Sequence, residues 1–197
     1  NHTSTEHPWF LKAMESEDSP YRDYYIIRKG KRDGSTLLPP SNWESTFTGS
    51  AWERIGETDD FYLHLFCKEQ ADLNWENPAM RQELYEGIRF WVDKGVEGFR
   101  LDVVDELPDE FVLLLKKRIR EIKPDALLIG EVWEDASNKQ AYGVHRRYFV
   151  DGELDSAMNY PFRTAILNFM WGHDDGRQLR NTIMTIVENY PPQVVSC

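Results

Sequence analysis

Two short strand-like runs that each carry one acid near their end, Val96 to Val104 with Asp102 and Ala126 to Val132 with Glu131, constrain this chain more than any other feature. The second is apolar at nearly every position, the mark of a strand covered on both faces, and such strands belong to parallel sheets whose crossovers are helical. The intervening segment fits, with Phe111, Leu115, Ile119 and Ile122 at helical spacing from about Pro108 to Ile122. A further helix is predicted from Asn77-Pro78 to Gly95, with proline at the first helical position and Met80, Leu84, Ile88 and Trp91/Val92 along one face. A weaker strand is expected over Leu154 to Asn159, helices over Pro161 to Trp171 and Gln178 to Asn189, and another strand from Val194. This rhythm is that of a parallel α/β architecture. The order does not distinguish an open doubly wound sheet from a closed barrel, and three or four strands fall short of the eight a barrel needs.

Residues 1 to about 76 differ. Turn formers recur (Lys29-Gly30, Arg32-Asp33-Gly34, Leu38-Pro39-Pro40) without a lasting helical period, so this part reads as an irregular, strand-poor segment with one short strand over Tyr62 to Phe66. Composition narrows the function. A chain of 197 residues that is 41% hydrophobic has material for a sizeable core, and its net charge of -11 argues against nucleic acid as partner. No apolar run approaches the ~18 residues of a membrane span. Cys67 and Cys197 suit neither a disulfide framework nor a zinc site. Seven Trp, nine Tyr and ten Phe supply rings of the kind that line sugar clefts as well as cores. The chain begins at Asn1 and stops in the run Val194-Val195-Ser196-Cys197, so it is expected to be part of a longer protein, cytoplasmic in location.

The two acids carry the chemistry. On a strand, alternate side chains share a face, so Arg100 and Asp102 point the same way, and a guanidinium beside a carboxylate favours the ionised form that a nucleophile needs. An ordinary salt bridge at a strand end is the competing reading. In Leu128-Ile129-Gly130-Glu131-Val132-Trp133 one acid ends an apolar strand, where partial desolvation raises its pKa and suits a proton donor. A solvated loop acid is the alternative. Taken together, two carboxyls at the carboxyl ends of successive parallel strands, one ionised and one protonated, are the equipment of glycoside hydrolysis. No phosphate-cradling glycine loop is present to support phosphoryl transfer.

Gly98 to Asp102, Gly130-Glu131-Val132-Trp133, Asn1-His2 and Gln70-Ala71-Asp72-Leu73-Asn74 resemble, in order, four motifs of the α-amylase superfamily, glycoside hydrolase family 13, and the resemblance spans essentially the whole chain. It implies a partial (β/α)8 TIM barrel, from about the end of strand 3 to the start of strand 7. Residues 1–76 would be the excursion called domain B and residues 77–197 the central part of the barrel. It also implies a retaining double displacement: Asp102 attacks the anomeric carbon, Glu131 protonates the leaving oxygen and then activates water, and Arg100 orients Asp102. His2 would hydrogen-bond the sugar, Trp133 would pack on the aglycone side, Glu106 would form an acceptor subsite, and Gln70 and Asp72 would stand at the cleft rim. For four of them a blander role competes: a surface position for His2, a core position for Trp133, a solvated helix entry for Glu106, a capping or turn role for Asp72. The family's third acid, an Asp within an Asn-His-Asp motif, has no counterpart here.

Residues 1 to about 95 look like oligo-1,6-glucosidases and trehalose-6-phosphate hydrolases, and residues from about 98 look like neopullulanases. The expected activity is a retaining α-glucoside hydrolase acting on α-1,4 or α-1,6 linked gluco-oligosaccharides. A transglycosylase or sucrose isomerase of the same superfamily, or a non-catalytic barrel homologue acting as an interaction subunit, is the alternative. No cofactor is expected; Asn1 matches a calcium-ligand position, but the six or more oxygens of a cage cannot be assembled, and no metal is assigned. The remaining strands of the parent barrel are the expected partner. Without them the chain is expected to be inactive and to aggregate.

Overall fold

The computed structural model describes residues 1–150 and 152–196, and the chain divides into two compact units, Asn1–Leu84 and Tyr85–Cys197. Cys197, one of the two thiols considered above, lies outside the described residues.

The first unit is richer in strands than its sequence suggests. Its elements are β1 (His2–Ser4), α1 (Pro8–Glu15), β2 (Ile27–Lys29), β3 (Lys31–Asp33), β4 (Thr36–Leu38), β5 (Trp52–Arg54), β6 (Asp60–Leu63) and β7 (Gln70–Asp72). The strand-poor reading is therefore corrected. Strands of three or four residues are too short to show a period of two, and the turn residues between them dominate the pattern. The missed helix α1 starts on Pro8, with the His7 ring accepting from the Trp9 N–H, and it buries Phe10 and Ala13. Phe10 meets the rings of Tyr25 and Tyr62 edge-on, each at 5.1 Å, in the larger of the unit's two apolar clusters. β6 is central in the antiparallel sheet β2-β6-β5 and is buried along its whole length. Asp60 tolerates that burial because Arg22 and Lys29 reach it at 2.6 and 2.9 Å.

Helix α2 (Pro78–Asp93) begins where proline predicts. The second unit then holds β8 (Gly98–Leu101), α3 (Asp109–Ile122), β9 (Leu127–Gly130), a small hairpin of β10 (Gln140–Ala141) and β11 (Val144–His145), β12 (Ser156–Ala157), α4 (Tyr160–Met170), α5 (Arg177–Asn189) and α6 (Pro192–Val195). β8, β9 and β12 form a parallel sheet with β9 in the middle, and α3 is the crossover between β8 and β9. Among the described residues this sheet has three strands and does not close. α3 buries Phe111, Val112, Leu115 and Ile119, while Asp109 and Glu110 sit in its first turn, where the helix dipole favours acids.

Glycine permits the close approaches within the sheet. A methyl group at Gly98 would lie 2.6 Å from the Leu127 carbonyl, and one at Gly130 would lie 2.5 Å from Leu154 and 2.9 Å from Val104. Three sequence expectations are corrected here. The run Val96 to Val104 pairs only over Gly98–Leu101, because Val103 turns into the left-handed region (φ 37°, ψ 63°) and the chain continues in a three-ten turn. The run Leu154 to Asn159 pairs only over Ser156–Ala157. Val194 opens no strand. Pro191 and Pro192 start the helical turn α6, in which the Val194 N–H donates to the Pro191 carbonyl at 2.9 Å.

Candidate active site

β8 ends at Leu101, so Asp102 is the first residue past the strand and Val103 makes the bend. A β-branched residue in the left-handed region costs about 1–3 kcal/mol, and it persists only where neighbours fix it. Here the neighbour is the next strand. Glu131, first residue past β9, uses its own backbone N–H on the Leu101 carbonyl (2.9 Å) and its carbonyl on the Val104 N–H (3.1 Å). Its side chain then accepts the Val103 N–H at Oε2, 2.9 Å away. Both acids thus leave the carboxyl ends of adjacent parallel strands on the same side of the sheet, where such folds bind ligands.

Arg100 joins them. Its Nη1 lies 2.5 Å from Asp102 Oδ1 and its Nη2 lies 2.7 Å from Glu131 Oε2, so the carboxylates are separated by no more than one guanidinium and two hydrogen bonds. The Arg100 Nε donates to Met158 Sδ at 3.3 Å, which steadies the fork from β12's side. Glu131 is 7% exposed, whereas the Asp102 side chain is about half exposed. Tyr160, the first residue of α4, donates its hydroxyl to Glu131 Oε1 at 2.9 Å, and Trp133 also hydrogen-bonds this carboxylate.

The protonation expected of Glu131 is corrected by this geometry. Burial does push the acid upward and is the largest single influence, but it is outweighed by the Val103 N–H, Trp133, Tyr160 and the Arg100 charge, which together hold the carboxyl below its ordinary range. These contacts favour the carboxylate form of Glu131. Tyr160 responds in the opposite sense: its phenol is raised, chiefly by donating to Glu131.

Glu106 follows on the same turn and pairs with the Tyr142 hydroxyl; its pKa is raised, first of all by burial. Trp133 is exposed and is not a core residue. In the first unit, β1 pairs with β7 so that His2 lies opposite Asp72, and Gln70 meets His2 through Nε2 atoms 2.8 Å apart. Phe66 packs its ring 5.7 Å from that of His2. Asp72 is buried and accepts the Leu65 N–H at 2.5 Å. Arg100, Asp102, Glu131 and Trp133 thus form one group in the second unit, and His2 and Gln70 another in the first. Sequence reasoning missed the Val103 N–H, Met158 and Tyr160. The last two could have been found from their place after the third parallel strand, beside Glu131.

Residues 1–191 match the family model described as alpha amylase, catalytic domain. An oligo-1,6-glucosidase of Parageobacillus thermoglucosidasius is 57% identical over 115 residues, which cover 55% of this chain and 20% of that protein. The Bacillus licheniformis trehalose-6-phosphate hydrolase structure superposes with a TM-score of 0.69 at 35% identity, covering 84% of this chain and 33% of that one. A trehalulose synthase mutant superposes with a TM-score of 0.74 at 30% identity, over 95% of this chain and 38% of the other. The chain spans about a fifth of the curated relatives' length. With a match that runs through both units and includes Arg100, Asp102 and Glu131, the chain belongs to the α-amylase catalytic-domain family and is a piece of its (β/α)8 barrel.

Proposed function

We propose that this chain carries the nucleophile and the acid/base of a retaining α-glucoside hydrolase that acts on α-1,4 or α-1,6 linked gluco-oligosaccharides. The observation that carries the reading is the single Arg100 guanidinium shared by Asp102 and Glu131. It links one oxygen of each acid through a single guanidinium and two hydrogen bonds, an arrangement in keeping with the paired carboxyls of a retaining glycosidase. Asp102, more exposed and charge-paired, attacks the anomeric carbon, and Glu131 handles the proton. The carboxylate form that the contacts of Glu131 favour suits the second half-reaction, in which it takes a proton from water. The first half-reaction needs the acid form, and a sugar that excludes water strengthens the burial that already pushes Glu131 upward.

In this reading residues 1–76 are the domain B excursion after the third barrel strand, and β8, β9 and β12 are the fourth, fifth and sixth strands. His2 and Gln70 hydrogen-bond the sugar, while Trp133 and Glu106 serve the aglycone side. The names of the relatives support the substrate class: an oligo-1,6-glucosidase, trehalose-6-phosphate hydrolases and a glucan 1,6-α-glucosidase. The test is Asp102→Asn in the full-length protein, with isomaltose and maltose as substrates. Turnover should fall at least about 10⁴-fold, as expected when a covalent nucleophile is lost; hydrolysis at the original rate removes the assignment. The likeness to a trehalulose synthase favours a second reading, transfer of the glycosyl group to a sugar acceptor. Sucrose offered to the full-length protein separates the two: isomers of sucrose indicate transfer, free glucose indicates hydrolysis.

A further inference from the structure

The bend that carries Asp102 is gripped from behind by a residue outside the acid pair. Arg146 follows the β10–β11 hairpin and is 5% exposed. Its Nη1 donates to the Asp105 carbonyl at 2.8 Å and its Nη2 to the Leu107 carbonyl at 2.8 Å, with the Val104 carbonyl at 3.4 Å. Its Nε faces Asp109 Oδ1 at 2.6 Å, and its guanidinium carbon lies 4.9 Å from the centre of the Tyr148 ring. Both amino groups of one planar fork thus donate to carbonyls of residues 104 to 107, and its charge pairs with Asp109. The hairpin adds its own holds: Lys139 reaches Asp105 at 3.0 Å, the Tyr148 hydroxyl also donates to Asp105, and Arg146's own N–H is fixed on the Lys139 carbonyl at 2.8 Å.

Glu131 holds the bend at Val103 and Val104 from the side of the next strand, but residues 105 to 107 of the same turn lie beyond those hydrogen bonds. The Glu106 and Leu107 N–H groups close the three-ten turn onto the Val103 and Val104 carbonyls, both at 3.0 Å, but such a turn is short and its geometry poor. The outward carbonyls of Asp105 and Leu107 need partners, and a buried guanidinium with five rigid donors supplies them. We infer that Arg146 is a positioning residue for the acid pair: by clamping residues 104–109 it fixes the left-handed bend at Val103, and through that bend the direction of Asp102 and of the N–H that Glu131 accepts. The inference rests on reading Asp102 and Glu131 as the glycosidase pair. Lysine cannot replace arginine here, because one ammonium cannot span carbonyls and a carboxylate arranged for a fork.

The experiment compares the full-length protein with its Arg146→Ala and Arg146→Lys variants, using steady-state kinetics on isomaltose and amide hydrogen exchange of the segment 103–107. A misplaced nucleophile should lower kcat by about 10²-fold and leave KM within about twofold, because displacement of a reacting group by about 1 Å has that effect on the chemical step. Exchange over 103–107 should rise by about tenfold or more, with segments of β9 and α3 unchanged. The lysine variant should share both defects, showing that the fork and not the charge is needed. A kcat within threefold of wild type in either folded variant, or unchanged exchange over 103–107, overturns the inference. If the alanine variant does not fold, the lysine variant decides by the same criteria. If the unmutated protein cleaves no α-glucoside, the glycosidase reading has failed, and exchange over 103–107 alone decides whether Arg146 is the clamp.

Discussion

Glu131 contributes to stability in a way that depends on pH, whatever its part in the proposed chemistry. Its carboxyl lies below the ordinary range in the folded chain, with burial opposed and outweighed by the Val103 N–H, Trp133, Tyr160 and Arg100. A depressed acid stabilises the fold fully above its unfolded value, about 4.3, and that contribution disappears as the pH falls through the lower folded value. Glu131→Gln, which keeps the shape and loses the charge, should therefore lower the melting temperature at pH 7 and converge with wild type in strongly acid solution. Melting curves from pH 7 to pH 2 check this, and a gap that persists or widens in acid contradicts it. Legibility at this scale followed chemistry. Asp102 and Glu131 stood out because acids that close strand runs are few, and Arg100 because a period of two joined it to Asp102. The Val103 N–H was invisible because any residue has one; only its left-handed backbone aims it, and that conformation is imposed by contacts far along the chain. Arg146 carried no signal in the sequence, since its worth lies in the carbonyls it meets some forty residues back.

Between elements, the sheet is held in register by Asp155 as much as by apolar contact. The carboxylate of Asp155 accepts the Leu128 N–H at 2.8 Å, and it takes Lys116 and Arg120 of α3 at 2.8 Å each. Its pKa is lowered: burial raises it most, but Lys116, the Leu128 N–H and Arg120 prevail. One residue before β12 thus ties the middle strand to the crossover helix. Asp155→Ala leaves two mostly buried cations and one strand N–H without their acceptor, a loss of about 3–5 kcal/mol on the scale of broken buried ion pairs. Equilibrium urea unfolding measures it, and a change under about 1 kcal/mol contradicts the tie. The helices were legible because α3 repeats its apolar side chains over fourteen residues, long enough for a period to emerge, and α2 is marked by proline at its start. The short strands of the first unit were not. A three-residue strand such as Gln70–Asp72 exists because β1 lies beside it, and its own sequence says little. Val194 was misread because an apolar pair says nothing of the two prolines before it, which set a helical turn.

At the scale of the whole chain, apolar surface decides how the protein behaves in isolation. Helices α4 and α5 bury little of their own apolar stock: Ala165 and Ile186 are covered, whereas Met170 is 71%, Trp171 65% and Val187 57% exposed, and Ile183 and Met184 are exposed beside them. Single exposed apolar residues are ordinary, but a run of them along two successive helices marks a face built to be covered. The parallel sheet adds unpaired strand edges at β8 and β12, since among the described residues neither has a neighbour beyond β9. A family whose members enclose such strands in a barrel of eight supplies both coverings, and this chain spans about a fifth of its curated relatives. The 197-residue chain produced by itself should therefore self-associate and bind a hydrophobic dye, in sedimentation velocity and fluorescence respectively. A second set of outcomes reads the cause: Trp171→Gln with Val187→Gln should reduce association if the helical face drives it, and leave it unchanged if the sheet edges do. A monomer that melts in one cooperative transition would mean that the exposed helical face and the open edges cost less than their chemistry implies, and it would make this chain a self-sufficient unit of the barrel.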